Sequence, residues 1–388
     1  MKKQGGTGLL RRIPPGRMST MDFTFHMPVQ VFSGEGCVKR EGARLRGLGR
    51  RCLIITGARA AQESGALEDI LNTLEAAGVD ATVFPGISAN PLLSQCQAAA
   101  FTAETCKSDF IVGIGGGSVM DAAKATAWLA GNSSTKGYEL MAGQLRRPAL
   151  PLVLVGTTAG TGSEVSAAAV LTLDREKRKK SITNPQCYAR YVFADPRYTH
   201  SSSRETTVST ALDAFSHAAE GWLSPGCGDV STAFGERALT LVSGGLHWLA
   251  ENDGLPDAGL RESLYYGSLW AGMVLNACGT AFPHPLGYIL TEEYGVPHGM
   301  ACAVFLPALL RRAEKYAPDR TERLFTLCGG RDRLSAALDA LVRYDITMTE
   351  GQIAGYAERW EGLKNFTRTP GGFTPENAAA LFRSLFIK

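Results

Sequence analysis

Between Met21 and about Pro196 the chain alternates short apolar runs with stretches of helical spacing, and this alternation constrains the fold more than any other feature. "CLIITG" (52–57) ends in glycine and is followed by "ARAAQESGALEDILNTLEAAG", where Leu67, Ile70, Leu71 and Leu74 share one helical face. "DATVFPG" (80–86), the helical "LLSQCQAAAFTAETC", "DFIVGIGGGS", "LPLVLVGTT" (150–158) and "YVFAD" (191–195) continue the series. Strands joined through helices are parallel, because only a crossover returns the chain to the same end of the sheet, so the sheet is covered on both faces. After Pro196 the strand signals nearly vanish: "RETTVSTALDAFSHAAEGWLS", "VSTAFGERALTLVSGGLHWLAEN", "GLRESLYYGSLWAGMVLNAC" and "RDRLSAALDALVRYD" all read as helices. At 388 residues the chain exceeds the size at which one core stops growing. The expected organisation is a leader over 1–20, an α/β domain over 21–197 and an all-helical domain over 198–388. Ligands of such folds bind where the domains meet, beyond the carboxyl ends of the parallel strands.

The formal charge of +3 is misleading on its own, since residues 1–20 carry Lys2, Lys3, Arg11, Arg12 and Arg17 and no acid. Taking that +5 away leaves a body of charge −2, which makes no electrostatic case for nucleic acid. The leader lacks the apolar stretch of a signal peptide, and reads as disordered or as upstream of a true start at Met18 or Met21. No apolar run approaches the roughly 18 residues that would predict a membrane span. Nine scattered cysteines without a C-x-x-C pair predict neither a disulfide framework nor a thiolate zinc site, and fit a reducing cytoplasm.

Two loops follow apolar strands with little or no bulk. In "DFIVGIGGGSVMDAAKATAWLAG", Gly115, Gly116 and Gly117 remove every Cβ from a strand-to-helix turn, and Ser118 with Asp121 three residues on resembles a capping box that starts the helix at Ser118. Such a turn admits a pyrophosphate to the N–H groups at the positive helix end. It is not the G-x-G-x-x-G fingerprint, and a plain tight turn is the alternative. "VGTTAGTGSEVS" (155–166) repeats the arrangement with Thr157, Thr158, Gly160, Thr161, Gly162 and Ser163, and two such loops favour a dinucleotide over a bare turn.

Two of the six histidines lie in "FPHPLGYILTEEYGVPHG" (282–299), His284 and His298, each beside a proline. "STALDAFSHAAEGW" separately puts Asp213 and His217 four residues apart on one helical face among small apolar neighbours. Each could be an ordinary polar residue at a helix end or surface. Together they make one carboxylate and three imidazoles, which suits Fe²⁺ or Zn²⁺ and is too rich in nitrogen for Ca²⁺ or Mg²⁺. Spacing alone does not bring the two pairs together.

"GGGSVMDAAK", "GTTAGTGSEVS", "ALDAFSHAAEGWLS" and "HPLGYILTEEYGVPHG", in this order, resemble the iron-containing (group III) alcohol dehydrogenase family, and "FHMPVQVFSGEGC" (25–37) and "ADPRYT" (194–199) match its pattern as well. The similarity runs from Met21 to Lys388 and is sharpest over about 110–305. It implies the dehydroquinate synthase-like fold, with a nucleotide-binding α/β domain and a helical metal-binding domain. It further implies Asp213, His217, His284 and His298 as ligands of Fe²⁺ or alternatively Zn²⁺, a small alcohol or aldehyde substrate, and a homodimer. Where many members have a further histidine four residues after the third ligand, this chain has Tyr288, expected either to relay a proton or, the favoured reading, to shape the pocket. A lysine of "DREKRKK" (174–180) reaches the nucleotide in the family; the register favours Lys179 over Lys180. NAD-preferring members have an aspartate after the threonine of the first nucleotide-domain strand, but here Gly57 follows Thr56, with Arg59 close behind, so NADP(H) is expected to serve at least as well as NAD(H).

The resemblance therefore implies hydride transfer between nicotinamide and a small alcohol or aldehyde. Two rivals share the fold: a metal- and NAD-dependent lyase of the dehydroquinate synthase type, and a non-catalytic binding protein. The lyase's polyanionic substrate calls for many cations, yet between Thr199 and Ala301 the only ones are Arg204, Arg237 and Arg261.

Overall fold

The computed structural model describes residues 23–387; the leader expected over 1–20 lies outside the described residues. Eight strands are present: β1 (Gln30–Ser33), β2 (Arg51–Thr56), β3 (Asp80–Phe84), β4 (Phe110–Gly115), β5 (Leu152–Gly156), β6 (Ala168–Leu173), β7 (Arg178–Thr183) and β8 (Tyr191–Ala194). Six of them form one parallel sheet in the order β1-β8-β5-β4-β2-β3. The runs recognised in the sequence are its centre: β4 and β5 are buried along their whole length and β2 at every residue after Arg51. A strand covered on both faces has no solvent side on which to place polar residues, which is why these runs are continuous rather than alternating.

The chain leaves β2 outward to β3 and then returns to the other side of β2 as β4. This reversal is the topological switch point, where adjacent crossovers diverge and leave a crevice beyond the strand ends. Gly57 follows β2 there, and the glycine turn 115–117 follows β4.

Three strands were not anticipated: β1 at the edge of the parallel sheet, and β6 and β7. β6 and β7 form a separate antiparallel hairpin in which Thr172 stands opposite Lys179. Beyond β8 the described elements are helical, and the longest span Arg204–Leu223, Asp229–Glu251 and Ala258–Cys278. Ser203 caps the first by accepting the N–H of Thr206, and Asp257 caps the third through Leu260. No helix among the described residues is long and apolar enough to cross a membrane.

The 282–299 stretch resolves into two helices. Pro283 opens the Pro283–Tyr294 helix, where its missing N–H is no loss, and Gly295, at φ 68°, ends it in the left-handed conformation that glycine adopts without strain. The next helix, His298–Ala303, begins three residues later. His284 and His298 are thus fixed at the starts of two successive helices joined by a sharp reversal.

Candidate active site and metal centre

The glycine turn is built for close packing as well as for a ligand. A Cβ on Gly115 would stand 2.7 Å from the Val119 side chain, one on Gly117 2.4 Å from Thr161, and one on Gly116 3.0 Å from Thr158 Oγ1. The two hydroxyl- and glycine-rich loops therefore lie against each other, and the Thr157 N–H donates to the Gly115 carbonyl at 3.0 Å. The helix starts at Gly117 after Gly116, not at Ser118, and the expected capping box does not form. Its two side chains have better partners in the tertiary structure. Ser118 Oγ accepts the Asn90 N–H, while Asp121 accepts the Ser163 hydroxyl at 2.6 Å and the Val170 N–H at 2.8 Å. Asp121 thereby ties the glycine-turn helix to the second loop and to β6, with the fully buried Lys124 ammonium 3.9 Å away and bonded to Ser163 and Ser166.

A cleft of about 460 Å³ runs from Ile87–Pro91 past Gly116, Gly117, Ser118, Asp121 and Thr158 to Lys179, and ends on Asp213, His217, His284, Tyr288 and His298. Gly115 and Thr157 lie just behind this lining, and Gly57 stands at the switch point near Ile87 and Val119. Lys179 rather than Lys180 lines the cleft; Lys180 is on the exposed side of β7. The Lys179 ammonium lies over the Tyr288 ring, 5.3 Å from its centroid, and burial lowers its affinity for a proton. Arg59 points away, exposed and 3.8 Å from Glu63.

At the closed end of the cleft, Asp213 Oδ1 is 3.7 Å from His284 Nε2, 3.8 Å from His298 Nε2 and 3.9 Å from His217 Nε2. Asp213 and His217 come from one turn of the Arg204–Leu223 helix, and the other two from the paired helices after Pro283. Donors around a tetrahedral ion with bonds near 2.1 Å stand about 3.4 Å apart, so the Asp213 carboxylate is within a few tenths of an ångström of that spacing from each imidazole. Asp213 Oδ1 and His284 Nε2 are buried and have no hydrogen-bond partner. Leaving such atoms orphaned is costly unless something else satisfies them, and a divalent cation would. Burial pushes His217 down to about 4 and, with Lys179, holds His298 well below its usual value, so both are neutral donors. His284 shifts upward because Cys302 and Glu220 beside it outweigh the opposing effect of burial.

Two neighbours of this cluster escaped the sequence reading. Glu220, fully buried, accepts from His284 Nδ1 at 2.6 Å and from the Ala281 N–H at 2.8 Å. It lies seven residues after Asp213 on the same helical face, a spacing that could have signalled it. Cys302 puts its sulfur 3.8 Å and 3.9 Å from the two ring nitrogens of His298. Tyr288 stacks on His298 with centroids 5.5 Å apart, and burial pushes its phenol ionisation upward.

Two family models match the chain: iron-containing alcohol dehydrogenase over residues 28–196, and the C-terminal region of the Fe-containing alcohol dehydrogenase family over 207–347. The chain belongs to the iron-containing alcohol dehydrogenase family. Within it, the chain is 30% identical to the NAD-dependent methanol dehydrogenase of Bacillus methanolicus over 86% of this chain and 88% of that one. It is 31% identical to the 1,3-propanediol dehydrogenase of Klebsiella pneumoniae over 95% of this chain and all of that one. The crystal structure of an iron-containing alcohol dehydrogenase from Thermotoga maritima superposes with a TM-score of 0.85 at 32% identity, covering 94% of this chain and 99% of the other. The shared fold joins a parallel-sheet region to a helical region.

Proposed function

We propose that this member of the family is a metal-dependent alcohol dehydrogenase or aldehyde reductase that moves hydride between NAD(P)(H) and a small alcohol or aldehyde. One observation carries the reading: a single cleft joins the glycine turn to the cluster of buried Asp213, His217 and His284 with the half-buried His298. The 115–118 turn and Thr158 would hold the cofactor's pyrophosphate, and Lys179 and Tyr288 line the stretch of cleft between that turn and the histidines. Fe²⁺, or Zn²⁺ in its place, would be held by the aspartate and three histidines and would supply a Lewis acid for the substrate oxygen. Glu220 keeps the Nδ1 proton of His284 facing away from the cluster, so that Nε2 presents its lone pair. The side chains around the cleft hold cofactor and substrate at reacting distance and exclude water.

A polyanionic substrate is disfavoured because Lys179 is the one cation lining the cleft among the described residues. Arg204 is committed to the Leu249 and Asn252 carbonyls, and Arg261 to those of Pro256, Thr199 and Ser202. NADP(H) use rests on the missing acid at Gly57; with Arg59 engaged by Glu63, the expected basis is lack of repulsion rather than a cationic partner. A homodimer is proposed on the family pattern, β1 being an edge strand of the sheet among the described residues, and a cytoplasmic location on nine unpaired cysteines.

The test is turnover of a panel of short aldehydes and alcohols with both cofactors after loading with Fe²⁺ or Zn²⁺. Metal-dependent oxidation of NADH or NADPH by at least one aldehyde is expected. No turnover across the panel, with metal and nucleotide both bound, would leave the binding-protein reading.

A further inference from the structure

Asp213, His284, His298 and Cys302 each place one donor atom within 4.8 Å of the other three. The thiol is thus inside the donor cluster, not merely near it. It is fully buried, as are the unpartnered Asp213 Oδ1 and His284 Nε2 around it. Cys302 follows His298 by four residues, one helical turn, so the helix that delivers one imidazole delivers the sulfur to the same side. The cleft is lined by Asp213, His217, His284, Tyr288 and His298 but not by Cys302. The sulfur therefore approaches from the protein side and leaves the cleft-facing position free for a substrate oxygen.

We propose that Cys302 is a fifth metal donor, which converts the aspartate and three-histidine set into one that prefers thiophilic ions such as Zn²⁺ and Co²⁺ over the harder Mn²⁺. The inference rests on the assignment of Asp213, His217, His284 and His298 as ligands. As the sulfur–metal bond forms, the Cys302 S–H bond breaks and its proton leaves to solvent; no electron is exchanged. Soft sulfur donors favour Zn²⁺ and Co²⁺ over harder first-row ions, so the thiol tunes which metal the chain retains.

The whole protein loaded with Co²⁺ tests this without reference to turnover. A thiolate bound to Co²⁺ gives an intense near-ultraviolet charge-transfer band, separate from the weaker visible bands of any bound Co²⁺. The wild-type protein is expected to show both sets, and Cys302→Ser only the visible set. In competition, Cys302→Ser and Cys302→Ala should lose the preference for Zn²⁺ over Mn²⁺ by about tenfold or more. Visible bands without the charge-transfer band in the wild type would overturn the thiolate and leave the four-ligand assignment standing. A band that survives in Cys302→Ser would assign the sulfur to another cysteine and equally overturn the proposal. Failure of the wild type to bind Co²⁺ at all would overturn both readings.

Discussion

Glu220 Oε1 lies 2.6 Å from Nδ1 of His284, and neither atom is accessible to solvent. The contact decides which ring nitrogen of His284 carries the proton, and hence that Nε2 faces Asp213. It makes Glu220 a positioning residue for the metal. Glu220→Gln, which keeps an acceptor but loses the charge, is expected to weaken metal retention by about 10- to 100-fold. His284→Ala should remove most bound metal and nearly all turnover while the fold persists. Elemental analysis after dialysis checks both, with circular dichroism for folding; full metal occupancy in His284→Ala would remove it from the ligand set.

Gly116→Val is expected to raise the cofactor dissociation constant by more than tenfold and leave metal content unchanged. A branched side chain there has to displace Thr158, whose hydroxyl would already stand 3.0 Å from a new Cβ, and the turn and second loop would separate. Fluorescence titration with NADH and NADPH measures the effect. An unchanged constant would mean that the turn only packs.

Gly57→Asp should turn the cofactor preference toward NADH by lowering kcat/KM for NADPH selectively. The position accepts a side chain, because a Cβ would make only ordinary contacts, at 3.5 Å to the Ile87 carbonyl and 3.6 Å to Val119. The wild type is expected to use NADPH at least as well as NADH, and Arg59→Ala should change little because Arg59 already faces Glu63. Steady-state kinetics with both cofactors decides the point; strong NADH preference in the wild type would refute it.

Tyr288→Phe is expected to keep kcat within about tenfold of wild type and to alter KM. Burial raises the phenol's ionisation, so at neutral pH it holds its proton and fills space against His298 and Lys179. General acid–base catalysis typically contributes about 10²–10⁴-fold, so a loss of that size with a changed pH profile would instead show a proton relay.

Glu164 gives the protein a pH-dependent stability. Burial raises its carboxyl from 4.5 to about 7, and its Oε2 has no hydrogen-bond partner. The folded state thus favours the protonated form: the stabilisation is complete below about pH 4.5 and is lost as pH rises through about 7. That shift corresponds to roughly 3 kcal/mol. Glu164→Gln should flatten the fall of Tm between pH 5 and 8, and parallel wild-type and variant curves would show that another group is responsible.

The central strands were legible because burial on both faces leaves continuous apolar runs; scarcity made the histidines candidates, but their proposed grouping with Asp213 came from the family resemblance. β7 was not, since only Ile182 among its six residues is buried and the charge run of "DREKRKK" that leads into it shows no apolar alternation. Ser118 and Asp121 looked like a local cap because partners such as Ser163 and Val170, more than forty residues away in sequence for Asp121, are invisible to local spacing. The glycines of the turn were read as room for a phosphate, but much of the room they leave is filled by Val119, Thr158 and Thr161. Cys302 was one thiol among nine, and nothing in its spacing distinguished it until the two helices after Pro283 were folded against each other.

The hairpin that carries Lys179 is joined to the helix that carries His284. The Lys179 N–H donates to Glu292 Oε1 at 2.7 Å, and Arg359 holds the other oxygen of that carboxylate. Lys179 lines the cleft while Glu292 belongs to the helix that carries His284, so any swing that parts the hairpin from that helix has to break this bond and expose the amide to solvent. The Lys179 amide is therefore a built-in clock for opening: its hydrogen-exchange rate reads how often the enzyme gapes, and slower exchange with bound cofactor would measure how firmly that ligand latches it shut.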